Sequence, residues 1–171
     1  MKKTYSILLF LVFFFLIYLL YDECSFNPLN EKAFINLFVS YKGKAKRICS
    51  DEFIDMSSSG EFFELNVYKV KDAVFDANYP QLTEWEKRLI DTDVLFKKWV
   101  RCPLDSVSYS LYQFTLASNK FNNTNCHINI NKELIDPENY YCYIHINELQ
   151  QYFFLYCTVK QELLYIRRKG F

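Results

Sequence analysis

The two histidines and six cysteines carry most of the chemistry open to this 171-residue chain. Cys126 and His127 are adjacent, and Cys142 and His145 stand three positions apart. A cysteine thiolate paired with an imidazole is a nucleophile, and four such ligands converging would hold zinc. The spacing argues against both. On a strand, side chains alternate, so Cys142 points with Ile144 and His145 with Tyr143, to opposite faces. No CxxC spacing supplies the remaining ligands of a zinc site. GxSxG and HExxH are absent, and Gly43, Gly60 and Gly170 are too scattered for a phosphate-cradling loop. The carboxylate groups Asp51, Glu52 and Asp55, and Asp91 and Asp93, read as solvated surface charge rather than an acid–base pair. The sequence thus predicts no catalytic residue, no metal and no cofactor.

What the thiols do depends on the compartment, and Tyr5–Tyr21 (YSILLFLVFFFLIYLLY) decides that. The run has no charge, Gly or Pro; Lys2 and Lys3 precede it, and Asp22 and Glu23 close it. A cleaved signal peptide needs small residues at its exit, yet no Ala or Gly occurs before Ala33. A helix of about 17 residues reaches ~26 Å, marginal against a hydrocarbon core of ~30 Å. Tyr5, Tyr18 and Tyr21 suit the headgroup level, and Lys2 and Lys3 can snorkel. We read residues 1–21 as an uncleaved transmembrane signal anchor and 22–30 as a linker. Residues 31–171 then form an α+β extracytoplasmic domain. Lys2 and Lys3 hold the N-terminus in the cytoplasm, giving a single-pass protein. Cys24 lacks the small residue that lipidation would need before it.

Formal net charge is zero, against the basic excess of a nucleic-acid binder. Lys42–Arg47 and Arg167–Lys169 read as a solvated loop and terminus. Phe, Tyr, Asn, Lys and Ile have AT-rich codons, so base composition explains much of the aromatic content. The even number of cysteines permits disulfides in an exported domain.

Asn30 reads as the N-cap of a helix Glu31–Tyr41, stopped by Gly43. Lys46–Met56 is extended without a clean period, and Ser57–Gly60 is a turn. Glu61–Val70 alternates as a strand. Thr83 and Glu86 form a capping box for a helix Glu84–Leu95. Lys97–Leu104 reads as a connector fixed by Pro103. Asp105 caps a helix to about Ala117, with Val107, Leu111, Phe114 and Thr115 on its core side. Asn122-Asn123-Thr124 in the loop that follows matches a glycosylation acceptor.

Tyr140–Ile146, Tyr152–Cys157 and Glu162–Arg168 form an antiparallel meander. The register that aligns apolar faces sets Ile144 opposite Leu155, Ile146 opposite Phe153 and Cys142 opposite Cys157. It also sets Leu155 beside Leu164 and Phe153 beside Ile166. Cys142 and Cys157 would then face each other at the geometric limit of a disulfide, either bonded or, if not, buried as small hydrophobes. The other face would carry Tyr141, Tyr143, Phe154, Tyr156 and Tyr165; either helices cover it too or it is an aromatic surface for a partner. Trp85 and Trp99 read as rings packed on the sheet.

The expected fold is α+β: one antiparallel sheet of four to five strands with two to three helices, behind an N-terminal transmembrane helix. The expected role is that of a small membrane-anchored cell-envelope protein with a non-enzymatic protein-interaction function, immunity-like or assembly-accessory. Its partners would be the membrane, through residues 5–21, and a protein. The alternative is a small envelope hydrolase or thiol enzyme using Cys126, His127 or His145. Protease added to intact spheroplasts should digest the C-terminal domain, while untreated full-length chain pellets with the membrane. Recovery in the soluble cytosolic fraction would overturn both anchor and orientation.

Overall fold

The computed structural model of the chain describes residues 9–17, 36–39, 41, 45–54, 62–76, 78–81, 94–116, 121, 124–147 and 149–170. The chain separates into two compact units, Met1–Asn30 and Glu31–Phe171. In the first, 9–17 are helical with exposed apolar side chains. Such a stretch rises about 14 Å, under half of a ~30 Å hydrocarbon core. No helix among the described residues is long and apolar enough to cross a membrane. The rest of the expected span and the linker 22–30 lie outside those residues.

The second unit is α+β. Its six strands are β1 (Lys46–Glu52), β2 (Phe62–Lys69), β3 (Leu95–Arg101), β4 (Tyr140–Asn147), β5 (Gln150–Cys157) and β6 (Glu162–Lys169). They form one antiparallel sheet ordered β1-β2-β6-β5-β4-β3. Two helices follow β3: α1 (Ser106–Leu116) and α2 (Ile130–Ile135). The expected count of four to five strands is corrected to six, because β1 and β3 are edge strands. Each is largely exposed and broken by a bulge, near Ile48 in β1 and between Lys97 and Val100 in β3. A strand buried at few positions has little alternation to read, and a bulge resets what there is. The predicted extended stretch at Lys46 and connector at Lys97 are these edges. Most of the predicted helices Glu31–Tyr41 and Glu84–Leu95 lies outside the described residues.

β4, β5 and β6 have near-continuous burial because the sheet is covered on both sides. One face carries Leu65, Val67, Tyr141, Tyr143, Phe153, Leu155, Leu164 and Ile166 against Tyr112 and Leu116 of α1 and Ile130 and Leu134 of α2. On the other, residues 36–39, 41, 70–76 and 78–81 lie over the β3–β5 end. Val39 N–H donates to Val74 O at 3.1 Å and Gln81 N–H to Asn36 O at 2.8 Å. Trp99 Nε1–H donates to Leu37 O at 2.5 Å, and Tyr156 Oη–H to Val70 O at 3.0 Å. Phe38 stacks on Trp99 with centroids 5.4 Å apart, and Phe75 on Tyr140 at 4.4 Å. Trp99 is therefore a packed ring, as expected; Trp85 lies outside the described residues.

The β5–β6 register is the predicted one: Leu155 pairs with Leu164 and Phe153 with Ile166. The β4–β5 register is not. Cys142 pairs with Phe154, Tyr143 with Phe153 and Tyr141 with Leu155. The turn is tighter than expected, with Asn147 paired to Gln150, which shifts the register by two residues; a bulge between His145 and Asn147 shifts it by one more. The extra residue, Ile146, turns the rest of β4 to the opposite face.

The face of α1 is in part the expected one, with Thr115 buried and Leu111 packed against the core. Asp105 caps it as expected: Ser108 N–H donates to Asp105 Oδ1 at 2.8 Å. Ser108, Tyr112 and Thr115 point to the sheet, whereas Val107 is 63% exposed. Tyr112 Oη–H reaches Ile144 O at 3.3 Å, which sets the rotation of the helix. Leu164→Ala should cost ~2–5 kcal/mol of unfolding free energy, and Val107→Ala within about 0.5 kcal/mol. Equal losses in denaturant titrations would return Val107 to the core.

Candidate functional site

The chemistry-bearing residues fall into three places. The first is the β1 corner. Cys49 follows the Ile48 bulge, and Cys126 sits in the loop leading into α2. The two form a disulfide with Cα atoms 5.5 Å apart, closing a sequence separation of 77. Asp51, two residues beyond Cys49, turns to the same side. Asn125 Nδ2–H donates to its Oδ1 at 2.7 Å. Asp51 is 7% exposed, and its Oδ2 has no hydrogen-bond partner among the described residues. His127 is exposed, with a backbone φ of 49°. A cavity of about 280 Å³ opens beside it, lined by Phe121, Thr124, His127, Ile128 and Asn129.

The disulfide bears on the expected cysteine pairing. Cys142 and Cys157 are unbonded and buried, the second of the two expected alternatives, although they are not opposite one another. The tight turn and the Ile146 bulge together set Phe154, not Cys157, opposite Cys142. Burial pushes the Cys142 thiol well up. Burial, then the charge of Glu133, does the same to Cys157, and Cys102 is raised to about 12, first by burial. A thiolate is the reactive form, so these three are inert packing groups. Cys126, the thiol of the enzymatic alternative, is tied up by Cys49. His145 is buried against Tyr112, ring centroids 6.1 Å apart. As expected, Cys142 and His145 face opposite ways.

The second place is the start of α1. Lys97 pairs with Asp105, and its Nζ donates to Ser108 Oγ at 3.2 Å. Tyr141 Oη–H donates to Asp105 Oδ2 at 2.9 Å. A Ser beside a Lys invites comparison with hydrolases that use a neutral lysine as base. Here burial works against the Lys97 ammonium, but the Asp105 hydrogen bond wins and raises its pKa. Ser108 is wholly buried. The group therefore caps a helix and offers no nucleophile. Sequence reading found the cap; Lys97 and Tyr141 join it from strands distant in the chain, which no local spacing reveals.

The third place is the outer side of the helices. A groove of about 450 Å³ runs between α1 and α2, lined by Leu104, Tyr109, Gln113, Leu116, Leu134 and Ile135 among others. Among the described residues, none that lines it is charged. Tyr109 and Ile135 are 57% and 70% exposed at its rim.

The five predicted interaction residues are elsewhere. Tyr141 and Tyr143 lie in the core under the helices, and Phe154, Tyr156 and Tyr165 on the opposite face; all are buried. The expected exposed aromatic face is thus corrected: the bulge splits the set, and neither face of the sheet is bare. Asn122 and Asn123 of the acceptor tripeptide lie outside the described residues.

No protein-family model matches the chain, nor does any curated protein or solved structure.

The Lys97 hydrogen bond, then the Ser108 N–H, holds the Asp105 carboxyl well below the usual carboxylate range. A depressed folded pKa contributes stability that is complete above the unfolded value of about 3.9. It is lost as pH falls through that value toward the folded one. Wild type should exceed Asp105→Asn in stability at pH 6, with the difference shrinking below about pH 4. A difference constant down to pH 2.5 in urea titrations would dissociate Asp105 from this network.

Proposed function

We propose that the chain is a non-enzymatic, single-pass membrane-anchored protein of a cell envelope. Its C-terminal domain binds a protein partner through the groove between α1 and α2. The groove carries the reading: an uncharged apolar cleft with Tyr109 and Ile135 exposed at its rim. Its volume suits one or two buried anchor side chains, the usual core of a small interface. The apolar character of the described lining favours an apolar, uncharged segment of the partner. Gln113 and Asn131 supply amides that can pair with that segment's backbone.

The location rests on two further observations. The uncharged run Tyr5–Tyr21 behind Lys2 and Lys3 favours an anchor with the domain outside. The Cys49–Cys126 disulfide suits an oxidising compartment. An immunity-like or assembly-accessory task is of the class such a domain would serve. The enzymatic alternative loses support because its thiol, Cys126, is half of that disulfide.

A photo-crosslinking amino acid at position 109 should trap one discrete partner in living cells. The trapped species should disappear with Ile135→Glu, while thermal unfolding stays unchanged. A crosslinked band insensitive to Ile135→Glu, or none at all, would overturn the groove as the binding surface.

A further inference from the structure

The Cys49–Cys126 corner has more donors than a disulfide needs. Sγ of Cys49, Sγ of Cys126 and a carboxylate oxygen of Asp51 all lie within 4.8 Å of one another. Asp51 is more than nine-tenths buried, and Asn125 occupies only its Oδ1. Its Oδ2 is left without a hydrogen bond among the described residues. A buried carboxylate oxygen without a partner is costly, and the oxidised sulfurs cannot donate to it. We propose that reduction of Cys49–Cys126 converts this corner into a site for a zinc-class divalent cation, held by both thiolates and Asp51.

The chemistry balances in two steps. A dithiol or phosphine reductant delivers two electrons to the S–S bond, which breaks. Each sulfur takes a proton: a dithiol supplies both and leaves as its own disulfide, whereas with a phosphine one water supplies both protons and the oxygen of the phosphine oxide that leaves. The cation then displaces both thiol protons, forming two metal–thiolate bonds and one bond to the Asp51 carboxylate. A water completes the tetrahedron, as in zinc sites with three protein ligands.

The scaffold suits this exchange. Two Zn–S bonds of ~2.3 Å at a tetrahedral angle set the sulfurs ~3.8 Å apart, well inside the 5.5 Å separation of the two Cα atoms. Cys49 and Asp51 are held on one side of β1 by its pairing with Val67 and Leu65. Asn125 orients the carboxylate from outside, the role that second-shell partners play at metal sites. Thiolates select soft and borderline cations over Mg²⁺ or Ca²⁺. Disulfide and metal site are mutually exclusive. The metal form belongs to the chain in a reducing compartment, the disulfide form to an oxidising one.

Full-length protein, reduced with a phosphine and freed of excess reductant, should bind one equivalent of Co²⁺. The spectrum should show thiolate-to-cobalt charge transfer and the intense visible bands of a tetrahedral site; the oxidised protein should show neither. Zn²⁺ should displace the cobalt. Asn125→Ala leaves all three ligands in place and should weaken binding ~10–100-fold. Asp51→Asn should weaken it further. If reduction loosens the fold, Zn²⁺ should raise the unfolding temperature of the reduced wild type and not of Asp51→Asn, since a ligand bound only by the folded form stabilises it. Cobalt binding that persists in a Cys49→Ser/Cys126→Ser double variant would place the metal elsewhere. Either that result or a reduced wild type that binds no metal would overturn the proposal.

Discussion

One extra residue in β4 decides what the rest of the domain can be. Side chains on a strand alternate, so inserting Ile146 into the β4–β5 pairing moves every earlier residue of β4 to the other face. Tyr141 and Tyr143 thereby enter the core beneath the helices, beside Phe153 and Leu155. Two consequences reach well beyond the strand. Tyr112 of α1 packs between Tyr143 and Phe153, with ring centroids at 5.1 and 4.9 Å. Tyr141 Oη comes within reach of Asp105, which caps the same helix. Without the bulge, Cys142 and Ile144 would meet α1, and its cap would lose a hydrogen-bond donor.

Legibility in the sequence follows burial. β2, β4, β5 and β6 stand within a few residues of where their patterns put them, because they are packed along most of their length. The β5–β6 register was readable because no bulge interrupts it. β1 and β3 were not recognised as strands: each buries little, and each is bulged where its pairing would otherwise show a period. The hydrophobic period of α1 selects Val107 and misses Ser108 because the sheet-facing side of the helix carries polar residues, Ser108 and Thr115. Thr115 Oγ1–H donates to Gln151 Oε1 at 2.9 Å, and Ser108 accepts from Lys97. A hydrophobic period cannot find a helix face that buries hydroxyl groups already satisfied by strands remote in sequence. For the same reason the Cys49–Cys126 bond was hidden: it joins an unrecognised edge strand to a loop.

The reactive residue types are mostly spent on architecture. Buried Cys102, Cys142 and Cys157 fill space. Glu133 is taken up by Lys160 at 2.6 Å and Asn139 at 3.0 Å. Burial would raise its carboxyl, but these hydrogen bonds, with one from Cys157, hold it below its usual range. Ion pairs at such places satisfy groups that the fold has desolvated rather than adding net stability. At the β1 corner the account is incomplete: one oxygen of Asp51 is buried beside two sulfurs, with a partner for its neighbour only.

A sheet covered on both faces leaves a partner its edges and the outer side of its helices. Both edges resist another strand. β1 is bulged at Ile48, tied by a disulfide at the next residue, and opens with exposed Lys46 and Arg47. β3 is bulged in its middle and carries exposed Lys98 and Arg101. Bulges and charges of this kind block edge-to-edge pairing. The helical side has no such defence. α2 is only six residues long, so beyond Ile135 it cannot cover the flank of α1, and Tyr109 and Leu116 are left facing a cleft. The short helix thus leaves the uncharged groove open, and that opening is the physical ground for placing the proposed partner there rather than on the aromatic strands.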